Sequence, residues 1–130
     1  MNDPNALKQV IVVRRDLRMR QGKACSQSAH ASGEFMREAL LAIIDGKPLE
    51  LTEKEIAWMR SGMAKITVRS DSLEDFESVR DQAIAAGLKV RVITDSGRTE
   101  FHNVPTVTAL AIGPDLSGEI DKITGKHSLL

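Results

Sequence analysis

Four consecutive β-branched residues, Val10 to Val13, sit inside a stretch from about Gln9 to Arg14 that is bounded by charge. A short apolar run of that kind predicts a strand buried on both faces. From about Lys23 to Ile44 apolar residues recur at helical spacing, with Phe35, Ala39 and Ala42 in one row and Met36, Leu40 and Ile43 in the next. Asp45-Gly46-Lys47-Pro48 then stops the helix. Thr52 and Glu55 have the spacing of a capping box, and Leu51 and Ile56 that of a hydrophobic staple, which predicts a short second helix from Glu53 to about Ser61-Gly62. Ala64 to Ser70 alternates Ile66 and Val68 with Lys65, Thr67 and Arg69, a strand with one wetter side. Ser72 and Asp75 open a third helix whose stripe is Leu73, Phe76, Val79, Ala83 and Ala86, closed by Gly87. Leu88 to Thr94 and Thr106 to Ile112 follow as third and fourth strands, and Leu116 to Thr124 as a last short helix.

The order β-α-α-β-α-β-β-α predicts a three-layer α/β fold, a four-stranded mixed sheet flanked by helices. Helical crossovers join parallel strands, while the third and fourth strands are close enough in sequence to pair antiparallel. No linker or repeat divides the 130 residues, so residues 1–130 are expected to form one domain, with 1–7 flexible.

Charge changes this picture. The chain is neutral overall, yet between Lys8 and Lys23 it carries Lys8, Arg14, Arg15, Arg18, Arg20 and Lys23 against Asp16 alone. A basic edge concentrated in a neutral protein suits a polyphosphate partner. The four aromatic residues, Phe35, Trp58, Phe76 and Phe101, are too few and scattered for a base-stacking platform, so RNA contact should run through phosphate and sugar. The single cysteine, Cys25, excludes an internal disulfide and reads as a small packed residue. No apolar run approaches the roughly 20 residues of a membrane span, and a cytoplasmic protein without membrane contact is expected.

The candidate chemistry lies where strands would end. In open α/β sheets ligands bind beyond the carboxyl ends of the parallel strands. The first strand delivers Arg14 and then Lys23 to such a rim, the third delivers Asp95, and an antiparallel fourth would begin there with Thr106 to Thr108. Lys23, Gln27, His30 and Glu34 share one helix face. A cation in the first turn opposes the helix dipole at about 0.3–1 kcal/mol, so something other than helix stability favours Lys23. Gly22-Lys23 falls short of a P-loop, which needs glycine at Leu17 and Ser or Thr at Ala24. His30, His102 and His127 have no metal-ligand spacing, and neither a metal nor a cofactor is expected. Each residue also has a plainer role: Asp95 before Ser96-Gly97 as a turn residue, Lys23 as its structural partner, Thr106 and Thr108 as strand formers.

Taken together, Val12-Val13-Arg14, Asp16-Leu17 with Met19, and Gly22-Lys23 with Gln27 and His30-Ala31 resemble the signature of the archaeal and eukaryotic type of peptidyl-tRNA hydrolase. Asp95-Ser96-Gly97-Arg98-Thr99, Thr106-Val107-Thr108, Ile112-Gly113-Pro114 and Ile120 to Gly125 continue the resemblance in order from Lys8 onward. It implies the same fold and hydrolysis of the ester between a peptide and the terminal ribose of tRNA. It also implies catalytic roles for Lys23, Asp95, Thr99 and Thr108, with Gln27, His30 and Thr106 lining the site. The arginines at 14, 15, 18, 20 and 98, namely Arg14, Arg15, Arg18, Arg20 and Arg98, would hold the tRNA. Ser96 stands where the family usually has alanine, and the connection from Glu100 to Pro105 is longer and more charged than usual. Two rival readings are a catalytically idle relative that binds RNA or protein, and a hydrolase of another aminoacyl-tRNA ester. The resemblance leaves a homodimer open, with the side of the second helix from Ile56 to Met59 as its candidate interface.

Overall fold

The computed structural model describes residues 3–98 and 100–130. β1 (Leu7–Arg14) leads through a single 3-10 turn (Arg15–Leu17) into the long helix α1 (Gln21–Ile44). There follow α2 (Glu53–Arg60), β2 (Lys65–Ser70), α3 (Leu73–Ala85), β3 (Val90–Asp95), β4 (Thr106–Leu116) and α4 (Ser117–Thr124). The strands lie in the order β2-β1-β4-β3. β1 runs parallel to β2, and β4 runs antiparallel to both β1 and β3. β1, β2 and β3 therefore end at one rim, and β4 begins there.

The run Val10–Val13 is central because both of its faces are covered. Val10 and Val12 join Val68, Leu110 and Ile112 against Phe76, Val79 and Ala83 of α3 and Ile120 of α4. Ile11 and Val13 face the other way, with Ala109 and Ala111, onto Ala31 of α1. Alanine on both sides of this second layer lets α1 lie close to the sheet. Buried Gln9 is satisfied there by Ser32, donating to its carbonyl at 3.1 Å and accepting from its hydroxyl at 2.6 Å. Trp58 is fully buried beneath α2, donates to the Ala64 carbonyl at 2.9 Å and meets Phe35 edge-on.

The expected element order and three layers hold, with local differences, among them a third strand that runs Val90–Asp95 instead of Leu88 to Thr94. β1 starts at Leu7, and α1 starts at Gln21. β4 continues through Gly113-Pro114 to Leu116, because Asp115 and Leu116 pair with Lys8 and Leu7. Leu40 and Ile43, expected on the packed side of α1, are 61% and 50% exposed. Ala39 and Ala42 in the same turns are buried and half-buried, so the sheet covers their row of the helix and leaves the neighbouring row, with Leu40 and Ile43, to solvent. On α2 the supposed outward apolar side is largely turned inward: Trp58 is buried, and Ile56 and Met59 are half-buried.

Two sheet edges contrast. The outer edge of β2 is covered by the last residues, the Arg69 amide donating to Ser128 and the Leu130 amide to Thr67. Among the described residues nothing pairs with the outer edge of β3. At the other end of the chain, the Pro4 and Ala6 carbonyls accept from the Gly118 and Ser117 amides. No described helix is long and apolar enough to cross a membrane.

Candidate active site

The site is built outward from the first turn of α1. Gln21, Gly22 and Lys23 open the helix, with Arg20 as a cap that makes no side-chain hydrogen bond and with no acidic residue in the first turn. A carboxylate arrives instead from across the rim. Asp95, the last residue of β3, places Oδ1 2.8 Å from Lys23 Nζ. The side chains are 14% and 13% exposed, so the pair is shielded yet reachable. The ion pair thus offsets the unfavourable placement of a lysine at a helix start.

One helical turn further on, Gln27 is buried and joins two strands. Its amide nitrogen donates to Asp95 Oδ1 at 3.4 Å, and its carbonyl oxygen accepts from Thr108 Oγ1 at 2.5 Å. Lys23, Asp95, Gln27 and Thr108 thus form one hydrogen-bonded chain across α1, β3 and β4. The Thr108 side chain reaches α1 through a fault in the sheet. Ile93 pairs with Ala109 but Thr94 pairs with Val107, so Thr108 is passed over in the register. Such a bulge lets consecutive residues project to the same face and re-aims a side chain. Without it, strand alternation would send Thr108 to the α3 side with Leu110.

The turn after β3 completes the carboxylate's surroundings. Asp95 Oδ2 accepts from the Gly97 amide at 2.8 Å, so the plainer turn role and the ion pair coexist in one residue. Gly97 has φ +84°, and a Cβ there would collide with the Val104 backbone, which fixes glycine at that point. The hydrogen bond from Lys23 holds the Asp95 carboxyl below the usual aspartate range, aided by the Gly97 amide and the charges of Lys23 and His30. Burial opposes this without overcoming it. A carboxylate so stabilised is a poor proton acceptor and a good anchor for donors.

The other expected site residues fall into distinct places. His30 is exposed beside Asp95 and shares with it a cleft of about 420 Å³ between α1 and β3. Thr106 pairs with Asp95 across the strands, and its hydroxyl donates to the Val104 carbonyl at 2.8 Å. Thr99 lies outside the described residues. Arg14 is buried: it donates to Asp16 at 3.2 and 2.7 Å and to the Val107 carbonyl at 3.0 Å. Arg15, Arg18, Arg20 and Arg98 are exposed, and Arg20 approaches Glu100 at 3.9 Å. Arg14, Arg15 and Arg18 border a second cleft of about 570 Å³.

Reasoning from sequence placed Gln27 on the right face but missed its linking role, which depends on the bulge. It also missed Phe101, whose ring lies 5.9 Å from Lys23 Nζ; its position in an irregular loop gave no periodic signal. Among the described residues no three His, Cys, Asp or Glu side chains gather as a metal site.

Fold and site together define an α/β domain with a lysine–carboxylate centre on an open sheet rim, flanked by exposed arginines. Residues 7–130 match the family model described as Peptidyl-tRNA hydrolase PTH2, and the chain belongs to that family. A protein named peptidyl-tRNA hydrolase from Aeropyrum pernix is 41% identical over 118 residues, covering 91% of each chain. Another of that name from Methanopyrus kandleri is 40% identical over 124 residues, 95% of this chain and 97% of the other. A solved structure of a protein of unknown function from Agrobacterium shares the fold, with TM-score 0.58 and 11% identity over 95% of this chain and 96% of that one.

Proposed function

We propose that this protein hydrolyses the ester joining a peptide to the terminal ribose of tRNA, releasing free peptide and reusable tRNA in the cytoplasm. The observation that carries the reading is the Lys23–Asp95 pair at the basic rim of a chain belonging to this family. Water attacks the ester carbonyl carbon, the carbonyl oxygen becomes an oxyanion, and the ribose oxygen leaves with a proton. Asp95 aims the attacking water, and Lys23 stabilises the oxyanion. Thr108 is buried, so it acts as a positioning residue through Gln27. Thr99 takes a positioning role by its place in the family pattern. Arg15, Arg18, Arg20 and Arg98 take the phosphates, while Arg14 braces the rim from within.

Single-turnover release of tRNA from a defined peptidyl-tRNA, with a chelator present, tests the reading. The parent protein should cleave, and Asp95→Asn should be slower by about 10²-fold or more, the scale of losing one positioned polar group. Unchanged cleavage in Asp95→Asn would remove this mechanism. A parent that binds tRNA without cleaving it would establish the binding-only reading.

A further inference from the structure

Two clefts open at the rim of the sheet, one of them lined by Asp95 itself, and they differ in character. One is bordered by Arg14, Arg15 and Arg18. The other lies between α1 and β3, bounded by Gln27, His30 and Glu34 on the helix and by Val92, Ile93 and Asp95 on the strand. The first sets three arginines against Asp16 and Asp71, the second sets Arg37 against Glu34 and Asp95. A substrate with a polyanion on one side of its ester and a peptide on the other would therefore send the polyanion to the first.

The second cleft runs along the open edge of β3. The Gly113 amide donates to the Lys89 carbonyl at 2.9 Å, and the register continues as Val90 with Ile112, Arg91 with Ala111, Val92 with Leu110 and Ile93 with Ala109. In an antiparallel ladder, bonded and non-bonded pairs alternate. Lys89, Arg91 and Ile93 therefore bond into β4, while Val90 and Val92 turn their N–H and C=O groups outward. The opposite edge of the sheet, on β2, is closed by the chain's own last residues. An uncovered edge is a ready template for another strand, and here the uncovered one ends at Asp95.

We propose that the peptide half of the substrate adds to this edge as an extended strand, bonded to the backbone of Val90 and Val92, with its C-terminal carbonyl at Asp95. This deepens the hydrolase reading and takes the identity of the occupant from it. Because β3 runs toward Asp95, the peptide lies parallel to it, its N-terminal end toward Val90. From Asp95 back to Val90 is about 17 Å of strand, enough for about five peptide residues. Main-chain pairing is indifferent to side chains, so a site built this way would take peptides of varied sequence.

Two measurements test this. The first is amide hydrogen exchange at Val90 and Val92 in the full-length protein, with and without an acetylated penta-alanine joined to 3′-amino-adenosine through an amide, a probe that cannot be cleaved at an ester. Exchange at both positions should slow by about fivefold or more at saturation. The second is single-turnover cleavage of peptidyl-tRNAs carrying N-methyl groups on alternate peptide residues. One alternate set, whose N–H groups donate to the Val90 and Val92 carbonyls, should lose about twentyfold, as for two hydrogen bonds, and the other less than about twofold. Changing side chains should matter little.

Cleavage with no alternation and no slowed exchange would overturn strand addition and leave the hydrolase reading standing. Slowed exchange at Val90 and Val92 without cleavage of any peptidyl-tRNA would support strand addition and overturn the hydrolase reading. Slow exchange before the probe is added, deepening with protein concentration, would give the edge to a second copy of the chain and overturn the proposal.

Discussion

Asp95 does two jobs whose requirements conflict: it terminates a strand through a tight turn and it faces a lysine in a partly shielded site. Gly97 lets both coexist, since its amide is aimed at Oδ2 from a backbone conformation that other residues rarely adopt. Gly97→Ala should therefore lower kcat by about tenfold or more while leaving the melting temperature within a few degrees, because the strain falls on the turn after β3, which belongs to neither hydrophobic cluster. Single-turnover kinetics beside thermal unfolding would separate the two effects; a large fall in melting temperature would show the turn to be structural instead. The charge of Asp95 sets a second expectation. Its carboxyl is held down mainly by the Lys23 bond, so its folded value lies below its unfolded one. The pair then contributes stability that is complete above the ordinary aspartate value of about 3.9 and is lost as pH falls through the lower folded value. The difference in melting temperature between parent and Asp95→Asn should be constant near neutrality and shrink only in acid. For the same reason an acid limb of kcat/KM due to Asp95 should have its midpoint below about pH 3.9. A midpoint near 6 would mean that another group governs the rate.

At the scale of elements, α2 shows how a local signal is recruited into a wider network. The Thr52 hydroxyl accepts from the Glu55 amide at 3.0 Å, and the Glu55 carboxylate accepts from the Thr52 amide at 2.8 Å. The second oxygen of buried Glu55 meets Arg91 of β3 at 3.4 Å, and Arg91 reaches Glu38 of α1 at 3.3 Å. Thr52→Ala should cost about 1 kcal/mol, lowering the melting temperature by about 4 °C, with kcat unchanged. A matching loss of activity would mean that α2 sets the position of α1 and hence of Lys23. The box was legible in sequence because it joins residues three apart, and the Val10–Val13 run was legible because a strand covered on both faces has no polar alternation. The rim convergence followed from connection order alone. What sequence could not disclose depended on pairing between distant strands. The bulge that turns Thr108 toward Gln27 exists only in the register of β4 against β3. The burial of Arg14 exists only once the Val107 carbonyl is beside it. Leu40 and Ile43 misled because helical periodicity records which face is apolar and is silent on how wide a face the sheet covers.

For the molecule as a whole, the governing feature is charge separated in space within a chain of zero net charge. Long-range attraction to RNA would be weak for such a protein taken as a sphere, so association must depend on the basic rim and fall steeply with salt. If Arg15, Arg18, Arg20 and Arg98 each neutralise one phosphate, the logarithm of the tRNA association constant should fall with the logarithm of salt at a slope of about −3 to −4. Arg14 and Arg15 allow an internal comparison, since they are adjacent in sequence and opposite in environment. Arg15 is exposed, whereas Arg14 is buried against Asp16 and the Val107 carbonyl. Arg15→Ala should make the slope shallower by about 1 and leave folding intact. Arg14→Ala should leave the slope nearly unchanged but destabilise the fold, because it strips the Val107 carbonyl and Asp16 of their donors and opens the end of β1. Salt titrations of tRNA binding for both variants, beside their melting curves, decide the matter. Equal changes in slope would return Arg14 to the phosphate-binding set and would require its side chain to swing outward when RNA is bound.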